Sequence, residues 1–149
     1  MTAHTSDAPS QRILVADHST PVRQELCGFL ALVPGIEVIG QAAGIADAVR
    51  LVSALRPDAV LLDLDMEGID GYRAAGLIRR QLPRCRLIAM SVNGLEEERE
   101  RAFRAGFDFF VTKGAPLEAL LEAVLAPAHP VSSSARPSDS RRSEKGGAQ

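Results

Sequence analysis

Short apolar runs alternate along this chain with stretches whose apolar residues recur every three to four positions. Residues 13–16 (Ile-Leu-Val-Ala) form the first run, and nothing polar interrupts it, as in a strand buried on both faces. Thr20-Pro21 follows, with Thr20 in the role of helix N-cap and Pro21 at the first helical position. Val22, Leu26, Phe29, Leu30 and Val33 then fall at helical spacing, and Pro34-Gly35 ends that helix. The same pair of signals recurs four more times. Strands are predicted at 36–39, 59–62, 86–90 and 107–111. Ala46, Val49, Val52 and Leu55 mark a second helix before Arg56-Pro57, and Tyr72, Ala75, Ile78 and Leu82 a third before Pro83. Asn93-Gly94 turns into a charged helix that carries Glu96, Glu97, Glu98, Arg99, Glu100 and Arg101 and is capped by Gly106. Leu117, Leu120, Leu121 and Val124 make the fifth helix, after Pro116.

Five repeats of strand then helix imply an α/β fold, with a parallel sheet covered by helices on both faces. The repeats occupy residues 12–126, one domain. Residues 1–11 are small and polar and are expected to be disordered. From Pro127 the composition turns to Ser, Pro, Arg and Gly, and residues 127–149 hold too few branched apolar residues to offset the entropy of ordering them. They are expected to form a disordered, weakly basic tail with no second folded domain.

Composition narrows the picture. Of 149 residues 46% are apolar but only 4% aromatic, so the core must be built from Leu, Val, Ile and Ala. The formal net charge of −2 provides no basic field for nucleic acid. No run is long enough to span a membrane, and residues 1–11 lack the basic and apolar parts of a signal peptide. Cys27 and Cys85 have no metal-binding or redox spacing, which fits a reduced, cytoplasmic setting.

The chemistry concentrates at strand ends. In Asp58-Ala-Val-Leu-Leu-Asp63-Leu-Asp65-Met-Glu-Gly68 the third strand ends on an acid and breaks into a turn. Asp17-His18 follows the first strand, Ser91 the fourth and Lys113 the fifth. Parallel strands place all these ends on one edge, where open α/β sheets bind ligands. Two or three carboxylate-type ligands suit Mg²⁺. A lysine and a hydroxyl can hold a phosphoryl oxygen, and a carboxylate can serve as nucleophile.

Arg56-Pro57-Asp58 through Gly71, Met90-Ser91, Ala105-Gly106 and Phe110-Val111-Thr112-Lys113 together resemble the receiver domain of two-component response regulators. The resemblance is strongest to receivers whose full-length members carry a C-terminal helix-turn-helix, and it covers about residues 12–126. It implies a flavodoxin-like, doubly wound, five-stranded parallel sheet in the order 2-1-3-4-5. It implies that Asp63 is the phosphoacceptor, that Asp17 and Asp63 bind Mg²⁺ together with the Asp65 backbone carbonyl, and that Ser91 and Lys113 contact the phosphoryl group. Phe110 takes the place of the switch aromatic, paired with Ser91. The implied partners are a histidine kinase or phosphotransfer protein, and a downstream protein that docks on the fourth helix, fifth strand and fifth helix.

One departure stands out. Family members carry two adjacent acids after the first strand, whereas this chain has Asp17-His18; either His18 replaces the second acid, or a one-residue deletion has removed the first. Glu67 and Gly114 also stand where prolines are common. His18 reads as a solvent-facing loop residue rather than a metal ligand, and Mg²⁺ binding is expected to be weakened. The acidic helix reads as a solvated face with i,i+4 ion pairs. The leading expectation is a single-domain phosphorylatable switch, not an enzyme, that signals by protein contact. The alternative is a protein-binding pseudo-receiver that works without phosphate, favoured by the missing acid. Asp63-Leu64-Asp65 also matches the Asp-x-Asp of haloacid dehalogenase-like phosphatases, but it lies on the third strand and no cap domain accompanies it.

Overall fold

The structure is a computed structural model that describes residues 10–66 and 70–126. The expectations for residues 1–9 and 127–149, and the substitution at Glu67, lie outside the described residues. Five strands, β1 (Gln11–Ala16), β2 (Ile36–Ala42), β3 (Ala59–Asp63), β4 (Arg86–Ser91) and β5 (Phe109–Thr112), alternate with five helices. These are α1 (Thr20–Ala31), α2 (Ile45–Leu55), α3 (Gly71–Gln81), α4 (Glu96–Ala105) and α5 (Leu117–Leu125). All pairings are parallel and the sheet order is β2-β1-β3-β4-β5, the order the resemblance implied.

The two-residue period of the strands sorts the core into two layers. Leu14, Ala16, Val60, Leu62, Leu87 and Ala89 face one way, toward Ala48 and Val52 of α2, Ala75 and Ile78 of α3 and Ala102 of α4. Ile13, Val15, Leu61, Ile88 and Met90 face the other, toward Cys27 and Leu30 of α1 and Leu120 and Val124 of α5. A single-residue register slip would exchange the two layers.

Several boundaries move, each for a local reason. β1 begins at Gln11, inside the stretch expected to be disordered, because Gln11 pairs with Ile36 and donates its N–H to Gly35 O at 2.7 Å. β2 continues through Gly40 to Ala42. A Cβ on Gly40 would lie 2.9 Å from Leu55 Cδ1 and 3.0 Å from Leu14 Cδ1, so this glycine permits close packing and does not break the strand. β5 starts at Phe109, not Phe107, since Phe107 donates its N–H back to Ala102 O at the end of α4 (3.0 Å). There Gly106 adopts a left-handed conformation (φ 119°). The cap of α1 is Ser19, not Thr20: its Oγ accepts from Val22 N at 3.3 Å, and Pro21 becomes the second helical residue.

Arg86, buried at the start of β4, fastens the far end of the sheet. Its guanidinium donates to Val124 O (2.7 Å) and Ala126 O at the C-terminus of α5, and to Gln11 Oε1 (3.2 Å). The opposite end of α5 borders a cavity of about 410 Å³ whose lining includes Leu26, Phe29, Pro116 and Leu117.

Cys85 is 4% exposed, and burial pushes its thiol pKa up to about 12. The thiolate is the reactive form. Native protein at pH 8 should therefore leave Cys85 unlabelled by a disulfide-exchange reagent over a time in which the urea-unfolded chain reacts fully. Rapid native labelling mapped to Cys85 by peptide mass would contradict this burial.

Candidate functional site

Register brings the strand ends to one edge. Ala16 pairs with Leu62, Asp63 with Met90 and Ser91 with Thr112, so Asp17, Asp63, Ser91 and Lys113 cluster there. Asp58 lies at the other end of β3, where its carboxylate accepts the Arg12 N–H at 2.8 Å.

Asp17 and Asp63 are both fully buried. Lys113 Nζ lies 2.9 Å from Asp17 Oδ2 and 3.1 Å from Asp63 Oδ2, so one ammonium serves two carboxylates. Asp17 Oδ1 accepts the Ser19 N–H at 2.9 Å, while the Arg23 guanidinium grips the Asp17 carbonyl at 2.7 Å. Asp17 Oδ2 makes no hydrogen bond, and the ammonium is its ion-pair partner. Asp63 Oδ1 accepts the Asp65 N–H at 2.9 Å.

His18 is exposed, as expected of a loop residue, but its ring also touches the site. Its side chain is 52% exposed, yet Nδ1 sits 2.7 Å from Asp63 Oδ2 and 3.9 Å from Asp17 Oδ1. An ionised carboxylate only accepts, so Nδ1 carries the hydrogen in this contact. One ligand atom from each of Asp17, His18 and Asp63 fits within a 4.8 Å span. Sequence alone could place His18 at the edge but not fix which way its ring turns.

Burial works to raise the Asp63 pKa, but the Asp65 N–H, then the His18 and Lys113 contacts, outweigh it and hold the group below the usual carboxylate range. Lys113 mirrors this. Burial would lower its pKa, but the bonds and charges of Asp17 and Asp63 raise it above the ordinary lysine value. At neutral pH the site thus holds an ionised carboxylate, Asp63, against a fixed ammonium.

Ser91 is buried at the same edge but does not reach Asp63. Its Oγ donates to Glu98 Oε1 of α4 at 2.7 Å and accepts the Gly94 N–H at 3.4 Å. Glu98 is the site-bordering residue that sequence reasoning missed. In the acidic run 96–100 nothing distinguishes it until the helix is rotated against β4. Nor do the charges of α4 simply pair along the helix as expected. Arg101 turns to Asp70 (3.3 Å) and lies over the Tyr72 ring (4.1 Å), joining α4 to α3. Asp65 is exposed, and its carboxylate accepts the Val92 N–H at 3.2 Å. Phe110 is half-buried and packs against the core layer that includes Ala102 and Phe107.

The profile of the response regulator receiver domain matches residues 13–125. The chain belongs to that family. The response regulator GacA of Pseudomonas aeruginosa is 34% identical to this receiver over 113 residues, which are 76% of this chain and 53% of GacA. The transcriptional regulatory protein LiaR of Bacillus subtilis is 42% identical over 80 residues, 54% of this chain and 38% of LiaR. The chain spans about half the length of the curated relatives it matches over most of its own length. Among solved structures, the receiver domain of a NarL response regulator from Mycobacterium tuberculosis superposes with a TM-score of 0.75 at 30% identity. That superposition covers 80% of this chain and 97% of the other. A LuxR-family two-component response regulator from Aurantimonas gives 0.74 at 26% identity, covering 94% and 99%. The receiver thus belongs to two-component signalling. Among its described residues no helix is long and apolar enough to cross a membrane.

Receivers generally bind Mg²⁺ through acidic residues, and the two buried carboxylates here fit a hard dication. Asp17 Oδ2, whose close partner is the Lys113 ammonium, keeps a lone pair for one. The third donor in the cluster, the imidazole nitrogen of His18, is one Mg²⁺ takes poorly.

Proposed function

We propose that this receiver accepts a phosphoryl group on Asp63 from a histidine kinase or phosphotransfer protein and signals by protein contact. The observation that carries the proposal is the ionised, fully buried Asp63 carboxylate held 3.1 Å from the Lys113 ammonium at the C-terminal sheet edge. An Asp63 oxygen attacks phosphorus as the phosphorus–nitrogen bond of the donor phosphohistidine breaks and the leaving nitrogen takes up a proton. Lys113 is placed to follow the phosphoryl oxygens and stabilise the charge on them. A Mg²⁺ held by Asp17, Asp63 and the Asp65 carbonyl would supply further neutralisation of that charge. The exposed Asp65 carboxylate is engaged by Val92, which favours a signalling module over a phosphatase that uses Asp65 as its acid.

The signal then runs through Ser91. To reach the phosphoryl group its hydroxyl must leave Glu98, and this frees α4 from the site edge. Phe110 is positioned on the neighbouring strand to repack as it does so. The face of α4, β5 and α5 is the proposed docking surface for the downstream protein.

The test is intact mass after incubation with a small phosphoramidate donor, with and without Mg²⁺. One added phosphoryl group is expected. A chain that takes none under these conditions would count against this reading and favour the phosphorylation-independent binding module. Glu98→Ala should raise the labelled fraction at steady state about threefold to tenfold, since a hydrogen bond to a charged, partly exposed acceptor holds Ser91 by about 1 kcal/mol. An unchanged or lower fraction would show that Glu98 does not restrain the hydroxyl.

A further inference from the structure

We infer that Asp17, His18 and Asp63 form a mixed oxygen–nitrogen cation site that selects a borderline first-row transition ion, such as Co²⁺ or Zn²⁺, over Mg²⁺. The inference does not rest on phosphoryl transfer, because metal binding can be read with no phosphodonor present.

Three observations carry it. The first is spacing. Ligand atoms bound at about 2.0–2.1 Å to one ion lie roughly 3–4 Å apart, depending on the angle between them. His18 Nδ1 lies 3.9 Å from Asp17 Oδ1, within that range, and 2.7 Å from Asp63 Oδ2, a hydrogen-bond contact that need open only slightly to seat an ion. The second is the state of the oxygens. Both carboxylates are fully buried; Asp17 Oδ1 accepts one hydrogen bond, from Ser19 N–H, and Oδ2 faces the Lys113 ammonium at 2.9 Å, so each oxygen keeps a lone pair for an ion. The third is charge. With Lys113 against two carboxylates the site holds one net negative charge, short of what a strongly hydrated hard ion needs to shed its water. An imidazole recovers affinity through nitrogen, and it does so for Co²⁺, Ni²⁺ and Zn²⁺ far more than for Mg²⁺. Ligation requires Nδ1 to give up the hydrogen it now donates to Asp63. In the neutral ring that hydrogen moves to Nε2, which the half-exposed side chain lets water receive. No other group need change protonation.

The test titrates the purified chain with Co²⁺, following its visible ligand-field absorption, and then competes the bound Co²⁺ with Mg²⁺. Wild type should bind Co²⁺ at least about thirtyfold more tightly than Mg²⁺. His18→Asp should cut that preference about tenfold or more by tightening Mg²⁺, and should shift the absorption band as nitrogen leaves the shell. His18→Ala should weaken Co²⁺ about tenfold while leaving Mg²⁺ nearly unchanged, with far-ultraviolet circular dichroism reporting that each variant is folded. A Co²⁺-to-Mg²⁺ ratio or spectrum unaltered in both His18 variants would overturn the inference. So would Co²⁺ affinity that persists in Asp17→Asn/Asp63→Asn, which would place the ion outside this cluster. Loss of Co²⁺ selectivity leaves the labelling of Asp63 untouched, and absence of labelling leaves the Co²⁺ spectrum untouched, so the two failures are distinguishable.

Discussion

Asp63→Asn should reduce phosphoryl incorporation to background, a fall of at least about a hundredfold, because an amide oxygen is a far poorer nucleophile than a carboxylate. The substitution is nearly isosteric. The side-chain oxygen can still accept the Asp65 N–H that now binds Oδ1 at 2.9 Å. Its NH₂ then faces the Lys113 ammonium and His18, which lose an acceptor at that position. Lys113 retains Asp17 at 2.9 Å, so the fold should survive, and circular dichroism should show it. Intact mass before and after the small phosphodonor measures the effect. Label that persists in this variant would move the acceptor elsewhere, with Asp65 the next carboxylate along the chain.

Lys113→Met should cost about 1–3 kcal/mol of stability, a fall in thermal midpoint of roughly 5–10 °C. Methionine keeps the length and fills the space but leaves two fully buried carboxylates without a counter-charge. Adding Asp63→Asn to Lys113→Met should recover much of the loss, because the second change removes one of the stranded charges. Two effects that simply add would show that the ammonium and the Asp63 carboxylate are not coupled. The sign with pH follows from Asp63. Its pKa is depressed in the folded state, so its contribution is present above the ordinary carboxylate value and is lost as pH falls through the depressed one. The penalty of Lys113→Met should therefore be full at pH 7 and shrink in acid, as urea melts across pH would record.

Most of the fold was legible because it is carried by period. Runs such as 59–62 and 87–90 are apolar at every position, and a strand buried on both faces needs that. The sequence pattern makes the second strand too short, at 36–39; it runs on through Gly40, whose missing Cβ leaves room for Leu14 and Leu55. Phe107 misled because its backbone belongs to the cap of α4 although its ring belongs to the core. At the site, Asp17, Asp63 and Lys113 could be placed together from strand ends alone. Ser91 shares their edge, but the partner of its hydroxyl is set by the rotation of α4, and five neighbouring charged residues conceal that rotation. The ring of His18 was hidden for a similar reason: a loop residue beside a site can turn either way, and contact with Asp63 decides it.

The fastening of α5 constrains how it can move. Arg86 holds the carbonyls of Val124 and Ala126 at one end, while the other end, capped by Pro116 with no side-chain bond, borders the cavity beside α1. A helix tied at one end swings and does not slide. Its nine residues make a lever about 13 Å long, so a 1 Å push where Lys113 leads into it tilts the axis by about 4° about Arg86. The travel is greatest at Leu117 and vanishes near Ala126. A partner seated over the first turn of α5 would thus feel a mechanical stroke, whereas one seated over the last turn would rest on a fulcrum.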